Sequence, residues 1–329
     1  MKKNNKQLKI LVTAVGSPSS SFLINEFKKN NVYIIGTDSD SYSHGLFMCD
    51  KKYVIPKGKH PNYIESILRI CSYEGINAIL AGPEEELIVI SKNRDYLADL
   101  DVKLLIPDHE TILTCTDKSK CYSQLKKLDI SIPDIYDENH LKFPCILKPK
   151  SGRGATNVYK VYNKKELTFF IQNIKDPIIQ EFVTGTEYTV DILTNWDGIA
   201  ISIIPRIRLS VESGISMKGI TKRDEKIISF SRKIVEELKI IGPSCIQCIK
   251  TSKNEIKFTD INLRFGGGSA LSFKANLNLM RNYLQLLNNE NVKPNFQFIE
   301  NLVMLRNYKE IFVRNEEIQS LDDSNEFGF

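Results

Sequence analysis

The segment KPKSGRGATNV, residues 148–158, joins a lysine at the end of an apolar strand pattern to a loop holding Gly152 and Gly154, and then to a second strand pattern. Glycine lets a backbone turn its N–H groups toward an anion, and a lysine at the loop's entry supplies a point charge for phosphate oxygens. The strand that follows separates this pattern from a Walker loop, in which G-K-[ST] opens a helix. Taken alone, Lys148 and its loop are also what a glycine-containing hairpin of any β protein would show.

Two further segments carry oxygen ligands. In TDINLRFGGG, residues 259–268, strand alternation puts Asp260, Asn262 and Arg264 on one face. A carboxylate and an amide oxygen are hard ligands suited to Mg2+ carrying nucleotide phosphates, and an arginine beside them can neutralise charge on a transferring phosphoryl group. Gln247, on the preceding strand, adds a side-chain oxygen if the two strands pair in register. The plainer reading is a solvated edge strand with a salt bridge. In IIQEFVTGTEYTVDI, residues 178–192, an extended segment carries Glu181 and, past a glycine turn, Glu187. Extended backbone can pair with an adenine edge, and a carboxylate a few residues on can accept from both ribose hydroxyls. Two surface glutamates on successive strands are the alternative.

In this order and separation the three segments resemble the ATP-grasp superfamily, and within it the carbamoyl-phosphate synthetase large-chain type. The resemblance covers nearly the whole chain. It implies that Lys118 in TDKSK and Lys148 hold phosphates and that Gln180, Glu181, Phe182 and Val183 form the adenine hinge, with Glu187 at the ribose. It further implies that Gln247, Asp260 and Asn262 are the metal ligands and that Arg264 lies beside the γ-phosphate. Asp260 stands where the family often has glutamate. The implied cofactors are ATP and Mg2+, with Mn2+ as an alternative ion. The implied reaction is ligation of a small-molecule carboxylate to an amine, amino acids foremost, through an acyl-phosphate with release of ADP and phosphate. A kinase that stops at a stable phosphorylated product, and a non-catalytic nucleotide-binding protein, are the competing readings. For the substrate, Arg206 and Arg208 in IIPRIRL point to one side of a strand and can hold a carboxylate, as similar arginine-bearing strands do in the relatives. The acidic turn PEEE, residues 83–86, either binds the ammonium group of a second substrate or is a helix start favoured by negative charge.

The elements that must position these groups follow from the hydrophobic pattern. Over the first hundred residues short apolar runs (LKILVTAV, VYIIGTDSD, INAILAG, VKLLIP) alternate with helical patterns. Such alternation predicts a parallel α/β layer whose ligands sit at the carboxyl ends of its strands. The fold class expected is α/β plus α+β. A Rossmann-like parallel-sheet domain (1–112) precedes a two-part ATP-grasp domain, with a small lid (113–183) and a larger part bearing the metal strands (184–315), and a mobile polar tail (316–329) follows. A dinucleotide site is disfavoured, because GSPSSS after the first strand lacks the glycines that close pyrophosphate approach requires.

Composition excludes other classes. Net charge is +5 with basic and acidic residues interspersed, so no dedicated nucleic-acid surface is expected. No stretch approaches the about 18 apolar residues of a membrane span, and the N-terminus lacks the apolar core of a signal peptide, so a cytoplasmic protein is expected. Self-association as a homodimer is compatible with this reading. Seven scattered cysteines fit reduced thiols better than disulfides. Cys245 and Cys248 form a C-x-x-C, but on a strand side chains three apart face opposite ways, and no second pair completes a zinc site. The four histidines sit at no metal-ligand spacing.

Overall fold

A computed structural model describes residues 7–137, 139–152 and 156–323. The chain opens as β1 (Lys9–Thr13), α1 (Ser20–Lys29), β2 (Tyr33–Asp38), β3 (Lys51–Val54), α2 (Tyr63–Glu74), β4 (Ala78–Leu80), α3 (Glu84–Lys92) and α4 (Arg94–Ala98). Its four strands pair in parallel, in the order β3-β2-β1-β4. The period of two along each strand sends alternate residues to opposite faces, and both faces are covered, as a parallel sheet requires. Leu11, Ile35 and Ile79 pack with Ile67 and Ile70 of α2. Ile10, Val12, Ile34 and Leu80 pack on the other side with Leu23, Ile24 and Phe27 of α1. The expected α/β layer is therefore present.

Two helices follow, α5 (His109–Thr116) and α6 (Lys118–Lys127), and then a small sheet of β5 (Ile135–Tyr136), β6 (Cys145–Pro149), β7 (Tyr159–Val161) and β8 (Pro177–Glu181), with α7 (Lys164–Ile171) between the last two. The pairing is antiparallel in the order β5-β8-β6-β7. This unit has a core of its own, built on Cys145, Leu147, Val161, Leu167, Ile174 and Ile179. In contrast, α6 turns Cys121, Tyr122 and Leu125 into the main core.

The large sheet contains β9 (Thr186–Thr194), β10 (Ala200–Glu212), β11 (Ile215–Thr221), β12 (Gly242–Lys250), β13 (Ile256–Asn262) and β14 (Val303–Leu305). It is accompanied by α8 (Glu225–Glu237), α9 (Ala270–Ala275), α10 (Leu279–Leu287) and α11 (Asn315–Asp323). Strand order is β13-β12-β9-β10-β11-β14, antiparallel throughout. Its apolar residues join both clusters of the N-terminal layer. Val190, Ile192, Ile203 and Ile246 enter one, and Leu193, Ile201, Ile204 and Phe265 the other. The first and last thirds of the chain thus share their cores, while the small sheet is attached to them.

Gly242 marks one seam between them. Its φ of +82° is one that side chains rarely adopt, and a Cβ there would lie 2.0 Å from the carbonyl oxygen of Leu105. The expectation of a mobile tail over 316–329 is corrected for residues 316–323, and residues 324–329 lie outside the described residues. Residues 315–323 form α11, because Ile318 and Leu321 give that polar stretch an apolar edge; Ile318 is buried and Leu321 packs against the cluster that contains β1 and β2.

Candidate active site

Lys118 opens α6, whose first turn is capped by Asp117 accepting from the backbone N–H of Ser119 and Lys120. The Lys118 N–H donates to the carbonyl of Lys150, and its Nζ donates to the Gly152 carbonyl at 3.4 Å and lies 3.6 Å from Asp260 Oδ1. Gly152 itself takes a φ of +147°, a conformation glycine permits. Gly154 lies outside the described residues. Lys148, on β6, is 7% exposed and donates to the Tyr122 hydroxyl at 2.9 Å and to the Thr259 carbonyl at 3.4 Å. Burial lowers its pKa from 10.5 to about 8, with Asp260 opposing and Lys118 assisting the shift. Tyr122 Oη in turn donates to Thr259 O at 2.7 Å.

That carbonyl is available because β13 bulges. Gln247 stands opposite Asp260 and Cys248 opposite Phe258, which leaves Thr259 as the extra residue. Beyond the bulge Asp260, Asn262 and Arg264 are linked in series. Asn262 Nδ2 donates to Asp260 Oδ2 at 3.1 Å, and Arg264 Nη2 donates to Asn262 Oδ1 at 3.4 Å. Among the described residues Arg264 has no acid partner.

The donor set of Asp260, Asn262 and Gln247 fits Mg2+, which binds through one or two carboxylates and completes its octahedron with water and nucleotide phosphates. A dedicated protein cage is not what these residues offer. Among the described residues no three His, Cys, Asp or Glu side chains group to hold an ion.

One participant escaped the sequence analysis, and a second comes from the acidic turn PEEE singled out there. Tyr122 stands four residues after Lys118, so one helix face presents both, a spacing that could have found it. Glu84, first residue of α3, brings a carboxyl from the N-terminal layer to the same place. Burial and the nearby Asp260 push it up to about 7, against the pull of Lys118 and Arg264. Its neighbour Glu86 serves the layer itself, accepting from the Thr13 hydroxyl.

The hinge segment leaves β8 beside this cluster. The carboxylate of Glu181 accepts from Lys257 Nζ at 2.5 Å and from the Asp134 N–H at 3.1 Å. Burial would raise its pKa, but those two donors outweigh burial and hold it below the ordinary value. Lys160 Nζ lies 3.8 Å from the centre of the Phe182 ring, and Val183 is buried. Glu187, on β9, accepts from Arg208 Nη1 at 2.5 Å.

The reading of Arg206 and Arg208 as a pair free to hold a carboxylate is corrected. Arg206 is 2% exposed, and its Nε donates to Asp191 Oδ2 at 2.8 Å while Nη1 donates to Ser216 Oγ. Asp191 also accepts from Ser272 Oγ at 2.6 Å. Arg208 is occupied by Glu187 and by the carbonyl of Gly214. In the antiparallel pairing of β10 with β9, Arg206 stands opposite Thr189 and Asp191 opposite Ile204, so the acid reaches Arg206 diagonally across the two strands, which spacing along one strand cannot reveal. Cys245 and Cys248 are both buried thiols, and burial pushes Cys245 up to about 12, so the C-x-x-C is an apolar strand feature.

Comparison with known proteins places the domains of this chain. Residues 115–268 match the family described as ATP-grasp domain, and residues 10–105 match the PylC-like, N-terminal domain. The chain is 24% identical over 241 residues to a carbamoyl phosphate synthase large chain of Clostridium botulinum, covering 66% of this chain and 22% of that one. It is 26% identical over 153 residues to a D-alanine–D-alanine ligase of Petrotoga mobilis, covering 43% and 51%. It therefore spans about a fifth of the first relative's length and half of the second's. In fold it is similar to the biotin carboxylase domain of 2-oxoglutarate carboxylase from Hydrogenobacter thermophilus, a structure with MgADP and bicarbonate. The TM-score is 0.72 at 15% identity, covering 91% of this chain and 74% of that one. The chain thus carries an ATP-grasp domain at residues 115–268, following a PylC-like N-terminal domain at residues 10–105.

Proposed function

We propose that the protein is an ATP-dependent carboxylate-amine ligase acting on small molecules, amino acids foremost, through an acyl-phosphate. The observation that carries this reading is the convergence of Lys118, Lys148, Asp260, Asn262 and Arg264 from α6, β6 and the β13 strand and its exit. Similarity to a D-alanine–D-alanine ligase favours amino acids as substrates.

In this reading Glu181, Phe182 and Val183 hold the adenine and Glu187 the ribose, while Lys118, Lys148 and the Gly152 loop hold the phosphates. Asp260, Asn262 and Gln247 hold Mg2+, or Mn2+, which when bound neutralises phosphate charge. A substrate carboxylate oxygen attacks the γ-phosphorus, forming the acyl-phosphate, and ADP leaves with the bridging oxygen. Arg264 and Lys148 supply fixed positive charge where negative charge spreads over the transferring group. The amine then bonds to the acyl carbon, phosphate leaves with the carbon–oxygen bond pair, and the amine gives up a proton. Glu84 faces this site from the N-terminal layer as the group that receives the amine.

The test is ADP release over pairs of amino acids and small acids, with mass detection of products. Release that needs both an acid and an amine, and is lost in Asp260→Asn, supports the reading. A stable phosphorylated product formed without an amine, or no ADP release while Mg-ATP still binds, refutes it.

A further inference from the structure

With Arg206 and Arg208 neutralised, the site lacks an assigned holder for the substrate's carboxylate. One guanidinium nearby is uncommitted. Arg306, just past β14, donates from Nη2 to the carbonyl of Gly267, and among the described residues it has no acid partner. A guanidinium carries five N–H donors, so most of its capacity is unused. Burial and the like charge of Arg206 hold it below the usual arginine range. Arg306 is partly buried, and its remaining N–H donors are of the kind that meet a carboxylate in a paired geometry.

The glycine turn that Arg306 touches points the same way. Gly266 and Gly268 are explained by packing, since a Cβ would lie 2.8 Å from Cys245 Sγ in the first case and 2.6 Å from Arg206 Nη1 in the second. Gly267 has no such reason. Its φ is not in the left-handed region, and the nearest atom to a built Cβ is in Ile215 at 3.5 Å. A glycine kept where a side chain would fit leaves open backbone for close approach by a ligand. Gly267 is three residues past Arg264, which bounds their Cα separation at about 11 Å. The uncommitted arginine and the open backbone are thus attached to the end of the metal strand.

We infer that Arg306 and the open backbone at Gly267 form the subsite for the non-reacting carboxylate of an amino-acid substrate. This rests on the ligase reading for the substrate's role, but the binding it asserts is separable from turnover. Ile215 walls the subsite, so a small acid fits it better than a bulky one.

The test is calorimetric titration of the full chain, with Mg2+ and a non-hydrolysable ATP analogue present, by the twenty amino acids, their carboxamides and inorganic phosphate. At least one free amino acid should bind, and its carboxamide should bind at least about tenfold more weakly. Arg306→Ala should weaken that amino acid by a similar factor and leave its carboxamide and the ATP analogue unchanged, with Arg306→Lys intermediate. Gly267→Val should weaken the amino acid without lowering the melting temperature. The inference is overturned if no amino acid binds, if acid and carboxamide bind equally, if only inorganic phosphate binds, or if Arg306→Ala leaves the amino acid's Kd unchanged. Should Arg306→Ala not fold, the acid-to-carboxamide comparison on the unaltered chain and Arg306→Lys still decide. Binding as described with no ADP release under any pairing would sink the ligase reading and leave the subsite standing.

Discussion

Replacing Lys148 by methionine separates the two consequences of burying its ammonium group. The side chain is 7% exposed, and burial lowers its pKa from 10.5 to about 8. At about 1.4 kcal/mol per pKa unit, holding that charge in the folded protein costs roughly 3 kcal/mol. The folded value lies below the unfolded one, so the unfolded chain binds more protons between about pH 8 and 10.5. Stability therefore rises with pH across that window, and the full cost is present below about 8. Methionine keeps most of the stem and leaves the Tyr122 hydroxyl still donating to Thr259. Subtracting up to about 1 kcal/mol for each of the two hydrogen bonds Lys148 donates, Lys148→Met should gain about 1 to 3 kcal/mol at pH 7. By denaturant unfolding, the gain should shrink toward pH 10.5. The same substitution removes the charge proposed to hold phosphate. Calorimetry with a non-hydrolysable ATP analogue should show at least about tenfold weaker binding. In the unaltered protein, affinity should fall about tenfold between pH 7 and 9 as Lys148 loses its proton. A variant less stable than the parent at pH 7, or an affinity flat between pH 7 and 9, would refute the reasoning.

Other substitutions probe neighbouring claims. Arg206→Ala leaves Asp191 buried and unpaired and should cost about 3 to 5 kcal/mol in chemical denaturation; loss of activity with unchanged stability would mean that Arg206 holds substrate after all. Gly242→Ala forces a Cβ onto the Leu105 carbonyl at a left-handed φ, and should lower stability by more than about 2 kcal/mol. Glu84 faces Asp260, Glu85, Lys118 and Arg264, and its carboxyl gains charge as pH rises through about 7. The kcat/KM for the amine should therefore rise through that pH, and Glu84→Gln should remove this limb; an unchanged profile removes Glu84 from the amine's path.

The alternation of strands and helices in the first third was legible, because apolar runs of period two and helical stripes are set by backbone geometry over a few residues. The face shared by Asp260, Asn262 and Arg264 was legible for the same reason. Tyr122 was within reach of that logic, four residues from Lys118. The bulge at Thr259 was not, since it exists only in the pairing of β13 with β12.

What the sequence by itself determined is therefore local: which residues lie on one face, where glycine frees the chain, and the order of the segments proposed for phosphate, adenine and metal. Tertiary structure alone decided which charges remain available. Asp191 and Glu187 on β9 neutralise Arg206 and Arg208 on β10, and Arg306 reaches Gly267 from the far end of the chain with no acid among the described residues to meet it. A charge acts at a site only where its field is not already cancelled, and cancellation depends on neighbours in space.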